Sequence, residues 1–157
     1  MSRLIRALAT VGFLGDLSPA PGTTVGSLAG LLLFIVCFGT SWQLPLGVLL
    51  TLVSFPVCGL EARRRQERDP GAVVLDELVG QWWALEILAW SGVPKQFFWL
   101  TLAFLVFRLL DVLKPPPVGT AENLPGGLGI VADDLVAGVL AGGLVSVAFL
   151  AGRSFLH

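Results

Sequence analysis

Seven ionisable residues in an otherwise apolar chain have types and spacings that chemistry can use. Asp76 and Glu77 are adjacent, Asp133 and Asp134 are adjacent, and Arg108, Asp111 and Lys114 follow one another at intervals of three. Neighbouring residues on a helix point about 100° apart, so the two members of an acidic pair need not share a task. The three-residue interval sets Arg108, Asp111 and Lys114 in one slanted stripe along a helix face. Together these residues are five carboxylates facing two cations, a formal excess of three negative charges. Like charges crowded where the dielectric is low cannot all stay ionised uncompensated; they bind protons or a divalent metal. An all-oxygen donor set suits a hard cation such as magnesium. Asp76, Glu77, Asp111, Asp133 and Asp134 are therefore candidate metal ligands and candidate catalytic groups alike.

With the acids holding a dication, Arg108 and Lys114 are available for an anionic substrate, one as a bidentate fork and the other as a point charge. The segment Ser18-Pro19-Ala20-Pro21-Gly22-Thr23 offers further donors: the hydroxyls of Ser18 and Thr23 and the backbone N–H groups around Gly22. Such a site is built for phosphoryl transfer. A bound dication lowers the pKa of its water and neutralises phosphoryl oxygens, while Arg108 and Lys114 stabilise the developing charge. One carboxylate then orients the water or takes its proton. Attack by a carboxylate, giving an aspartyl-phosphate, is the other route.

The elements that must position these groups are membrane helices. Of the 157 residues, 55% are hydrophobic and only 13% charged, and the mean hydropathy is +0.83. A soluble domain carries about 25% charged residues to face water. Windows near the 20 or so apolar residues needed to span a bilayer occur at about residues 24–40, 44–60, 70–91, 96–114 and 130–151. Arg3, Arg6, Arg63, Arg64, Arg65, Arg68 and Lys114 fall on one side of this five-span arrangement, and Lys95 and Arg153 on the other. The positive-inside bias makes the first side cytoplasmic. Trp42, Trp90 and Trp99 collect on the opposite face, as an interfacial belt does. Residues from about 3 to 14 read as an interfacial helix, because Gly12, Gly15 and Asp16 interrupt what would otherwise resemble a cleaved leader. The expected fold is all-α: one integral membrane domain over residues 1–157, a polytopic bundle of about five spans. In it the acids, both cations and the 18–23 turn meet at one depth.

Acids at helix starts also complement the helix dipole. Asp69-Pro70 reads as an N-cap followed by proline at the first helical position, which places Asp76 and Glu77 in the second turn, too deep to cap. For Asp133 and Asp134 the capping reading is stronger, since Gly126, Gly127 and Gly129 blur the helix start. Other chemistries are excluded more sharply. The one histidine is His157, so a histidine-nucleophile phosphatase is impossible, and no two aspartates are separated by one residue. Cys58 and Arg64 match the spacing of cysteine phosphatases, but CGLEARR lacks a glycine-rich cradle. Cys37 and Cys58 sit in apolar runs as buried hydrophobes. A net charge of -1 gives no sign of a nucleic-acid partner. The arginines at 63–68 are first a topology signal and second a docking patch for anionic lipid. A small cation-coupled transporter remains the rival function, since it too carries intramembrane carboxylates, usually nearer the midplane.

Four pieces of the chain, GFLGDLSPAPGTTVGS (residues 12–27), LDELVG (75–80), FRLLDVLKPPP (107–117) and GGLGIVADDLVAG (126–138), resemble in order the phosphatidylglycerophosphatase A family, bacterial membrane phosphatases of phospholipid synthesis. The resemblance covers about residues 11–145. It implies a magnesium-dependent monoesterase of the bacterial inner membrane that converts phosphatidylglycerophosphate to phosphatidylglycerol and inorganic phosphate. Some members of the family place a histidine before the double glycine, where this chain has Pro125.

Overall fold

The computed structural model describes residues 2–17 and 24–154, and every regular element among them is a helix. These are α1 (Ser2–Ala9), α2 (Leu14–Leu17), α3 (Val25–Cys37), α4 (Gln43–Arg65), α5 (Leu75–Trp90), α6 (Phe97–Leu113), α7 (Val118–Ala121) and α8 (Gly127–Ser154). Two of them, α4 with 23 residues and α8 with 28, are long and apolar enough to cross a membrane by length and composition. At about 1.5 Å per residue they reach about 35 and 42 Å. The expectation of about five spans is matched only this far, because α3, α5 and α6 have 13, 16 and 17 residues.

The outer surface is apolar along α3 (Leu32, Val36), α4 (Leu49, Leu52), α6 (Leu105, Leu109) and α8 (Leu144, Val147), all more than half exposed. Helix α5 is the opposite case. It packs against α3, α4, α6 and α8 and buries most of its side chains, including Asp76, Glu77, Gln81 and Glu86. A helix enclosed by protein can carry such polar groups, and that is why its composition reads poorly as a lipid-facing span. Glu86 meets the start of α4, where Gln43 Nε2 donates to its Oε2 at 2.8 Å. Trp82 is likewise internal, edge-on to Phe34.

Several boundaries differ from expectation. The first helix ends at Ala9 rather than near residue 14, since Val11, Gly12 and Phe13 all have positive φ. Buried Thr10 stabilises the break: its hydroxyl donates to the Arg6 carbonyl and accepts from the Phe13 N–H. Asp69-Pro70 does not open α5, which begins at Leu75 after the Val74 N–H has bonded to the Ala9 carbonyl. Asp76 and Glu77 consequently lie in the first turn of α5. Helix α8 begins earlier than expected, at Gly127, so Asp133 and Asp134 lie a turn and a half inside it, too deep to cap. The two capping readings are thus exchanged.

Candidate active site

The end of α4, the starts of α3, α5 and α8 and the end of α6 lie at one end of the antiparallel bundle. A cavity of about 220 Å³ opens there, and Asp76, Glu77, Arg108, Asp111, Lys114, Asp133 and Asp134 all line it. The structure therefore gathers every ionisable residue singled out by spacing. Ser18, Gly22 and Thr23, the expected phosphate donors, lie outside the described residues.

Close approach of α5 and α8 creates the acidic core. A Cβ on Gly80 would sit 2.6 Å from the Asp134 carbonyl oxygen, and one on Gly138 would strike the Gly80 carbonyl. The helices thus touch backbone to backbone one turn beyond Asp76 and Asp134, and each carboxylate lies four residues before its own glycine. Asp76 and Asp134 are only 5% and 4% exposed, and neither makes an ion pair among the described residues. Asp76 Oδ1 accepts from the Glu77 N–H at 2.9 Å, whereas Asp134 Oδ1 is buried without a hydrogen-bond partner.

Their sequence neighbours are engaged differently. Arg108 Nη1 lies 2.7 Å from Asp111 Oδ2 and 3.3 Å from Glu77 Oε1. The Ser27 hydroxyl on α3 accepts from Arg108 and donates to Glu77, both at 3.3 Å. Lys114, the C-cap of α6 with φ of 45°, reaches Asp133 Oδ2 at 2.8 Å and Glu122 Oε2 at 3.1 Å. Each adjacent acidic pair is therefore split into one member held by a cation and one that is not.

Sequence reasoning missed three participants. Asp69, read as a cap, lines the cavity mouth. Ser27 closes the first motif piece, residues 12–27, at the start of α3, but nothing in its spacing ties it to Glu77. Glu122 pairs with Lys114 across the α6–α8 connection. Proline after Asp69 gave the local signal that misled, and Ser27 and Glu122 become visible only once the helices cross.

A second ionic cluster anchors the amino terminus. Asp16 takes hydrogen bonds from Arg6 at 2.8 Å and Arg65 at 2.6 Å, while fully buried Glu61 takes Arg64 and Arg65. Burial alone would raise the Asp16 carboxyl, but the bonds from Arg6 and then Arg65 outweigh it and hold it below the usual carboxylate range.

The donor set can be tested against a hard dication. Among the described residues no three acids converge into a ready cage. Magnesium does not require one: it keeps several waters and is commonly held by one or two carboxylates together with substrate phosphate. A buried carboxylate pair without a cation, one oxygen of it unpartnered, fits that need.

Fold and site together define a class: an all-helical bundle with an apolar outer surface and a carboxylate-rich cleft, with Arg108 and Lys114 beside the acids, at one end. The chain belongs to the phosphatidylglycerophosphatase A family, whose model matches residues 7–149. It is 36% identical over 141 residues to phosphatidylglycerophosphatase A of Escherichia coli (strain K12), covering 88% of this chain and 80% of the relative. The Haemophilus influenzae protein of the same name is 35% identical over 140 residues, covering 85% and 82%. A Bacteroides thetaiotaomicron protein with the provisional name phosphatidylinositol-3-phosphatase is 35% identical over 147 residues, covering 87% and 89%. No solved structure matches the chain.

Proposed function

We propose that this chain hydrolyses the terminal phosphomonoester of phosphatidylglycerophosphate, with magnesium, at the cytoplasmic face of the bacterial inner membrane. The observation that carries the reading is the pair Asp76 and Asp134, buried without a cation in the same cavity as Arg108 and Lys114. Family membership supports the lipid phosphatase class.

Asp76 and Asp134 would hold the metal, which when bound supplies an acidified water and screens phosphoryl oxygens. Arg108, kept in place by Glu77, Asp111 and Ser27, presents its guanidinium to the phosphoryl group, and Lys114, held by Asp133 and Glu122, adds a second charge. Asp69, an exposed carboxylate on the cavity lining, would take the proton of the attacking water. The bond between phosphorus and the lipid oxygen breaks as that between phosphorus and the water oxygen forms, and the leaving alkoxide takes a proton. In this reading all five long helices cross the bilayer, and the cavity opens at the headgroup level where lipid substrate arrives. The transporter reading has no comparable support, since the family is one of phosphatases and the charges gather at one end of the bundle.

The test is phosphate release by the purified protein from phosphatidylglycerophosphate, phosphorylated phosphatidylinositol and phosphatidic acid, each with and without magnesium. Metal-dependent release, fastest from phosphatidylglycerophosphate, is expected. Preference for the inositol lipid would transfer the reading to the activity named for the Bacteroides relative. Release unaffected by chelation would remove magnesium from it.

A further inference from the structure

The arginine run at 63–68 is not a uniform patch. Arg64 and Arg65 are committed to Glu61, Arg65 also to Asp16, and Arg68 donates to the Glu122 carbonyl. Arg63 is exposed and makes no ion pair among the described residues.

Beside Arg63 a groove of about 580 Å³ runs between the last turns of α4 and the first turn of α8. Its walls are Phe55, Pro56, Leu60 and Leu128, with Arg63 at the mouth. The floor is backbone: a Cβ on Gly127 would strike the Phe55 carbonyl, so the two helices touch and leave a trough above the contact. The first turns of α8 separate this groove from the catalytic cavity, because Gly127 and Leu128 face one and Ile130, Asp133 and Asp134 the other. Toward the bundle middle the apolar surface continues. Leu128, Leu135 and Val139 recur at helical spacing on α8, and Leu52 lies one turn from Pro56 on α4.

We propose that this groove binds one anionic phospholipid of the bilayer, separate from the substrate: acyl chain along Phe55, Pro56, Leu60 and Leu128, headgroup phosphate on Arg63. A single cation without a balancing acid, at the headgroup end of an apolar trough, complements an amphiphile with an anionic head. The two flanking helices are those of membrane-crossing length. The inference rests on the membrane reading above but not on catalysis.

Native mass spectrometry of the full chain in neutral detergent, titrated with dioleoylphosphatidylserine or dioleoylphosphatidylcholine, tests it. Phosphatidylserine is neither substrate nor product of the proposed reaction. One phosphatidylserine should be retained about fivefold more tightly than phosphatidylcholine, the scale of one basic side chain at an anionic surface. Arg63→Gln should abolish the preference, and Leu128→Trp should displace the lipid by filling the trough with Arg63 intact. Asp134→Asn should leave binding unchanged, and millimolar inorganic phosphate should not compete. Retained preference in Arg63→Gln, its loss in Asp134→Asn, or displacement by phosphate overturns the proposal. Absence of phosphate release by the unaltered protein, with lipid binding intact, would instead count against the catalytic reading alone.

Discussion

A carboxylate that is almost wholly covered and has no cation beside it is unfavourable unless a proton or a metal neutralises it. Asp76 and Asp134 are in that position, whereas Glu77, Asp111 and Asp133 each have a basic partner. Asp76→Asn and Asp134→Asn should therefore lower phosphate release by about 100-fold or more. The same substitutions should leave the melting temperature in detergent unchanged or raise it, because an amide removes the like-charge burden. Activity near the wild-type level in either variant would end the assignment. Arg108→Lys keeps the charge but loses the planar guanidinium, whose Nη1 meets Glu77 and Asp111 and whose other N–H groups a point charge cannot replace. Its turnover should fall about tenfold or more while Asp69→Asn, one step further out, loses less; steady-state rates on the same lipid decide the order. At this scale residue type and spacing carried most of the information. The seven ionisable groups were legible because an apolar chain keeps few charges. Which member of each acidic pair stays unpaired was not, since that depends on where α5 and α8 start and which way each side chain then turns.

Helix contacts decide whether those groups meet. Gly80 and Gly138 let α5 and α8 cross with backbones touching, and even one methyl at Gly80 would lie 2.6 Å from the Asp134 carbonyl and 2.7 Å from the Phe107 ring. Gly80→Ala should cost about 1–3 kcal/mol by overpacking and separate Asp76 from Asp134, so thermal stability and phosphate release should fall together. By contrast, Gly143→Ala, on α8 with open space around its Cβ, should change neither. The clasp of α1 and α2 onto α4 makes a different prediction. With the Asp16 carboxyl held below its ordinary value by Arg6 and Arg65, its contribution is present above about pH 4, where the unfolded group is ionised, and fades as pH drops through the folded value. Asp16→Asn should thus cost about 1 kcal/mol near neutrality, and the gap to wild type should close on acidification, as denaturation at several pH values will show. Helix existence was readable from hydrophobic runs, but the starts were not. Pro70 marked a plausible helix opening, yet α5 begins only at Leu75, because residues 70–74 are drawn toward α1 by the bond from Val74 to Ala9.

For the molecule as a whole, α5 is the helix on which a five-span arrangement turns. Its 16 residues amount to about 24 Å, short of a hydrocarbon core of about 30 Å. That mismatch matters less than it would for an outer helix. α5 is surrounded by α3, α4, α6 and α8 and begins at the cavity, so most of its length, Trp90 at its last residue excepted, meets protein rather than acyl chains, and irregular backbone is tolerated there. The two ends of the bundle also differ chemically. At the end opposite the cavity, Trp42 and Trp90 are exposed, and Lys95 and Arg153 lie over the Phe38 and Phe149 rings rather than against acids. Single cysteines introduced at Glu67 and Gln96, both exposed, in a background lacking Cys37 and Cys58, separate the possibilities, since α5 is the one helix between them. A membrane-impermeant maleimide applied to cells with a permeabilised outer membrane should label Gln96→Cys at once and Glu67→Cys only after the inner membrane is opened. Labelling of both from one side would mean that α5 returns to the face it left; the acidic cavity and the Trp42–Trp90 end would then share a face, and the assignment of arginines to one side would have to be rebuilt.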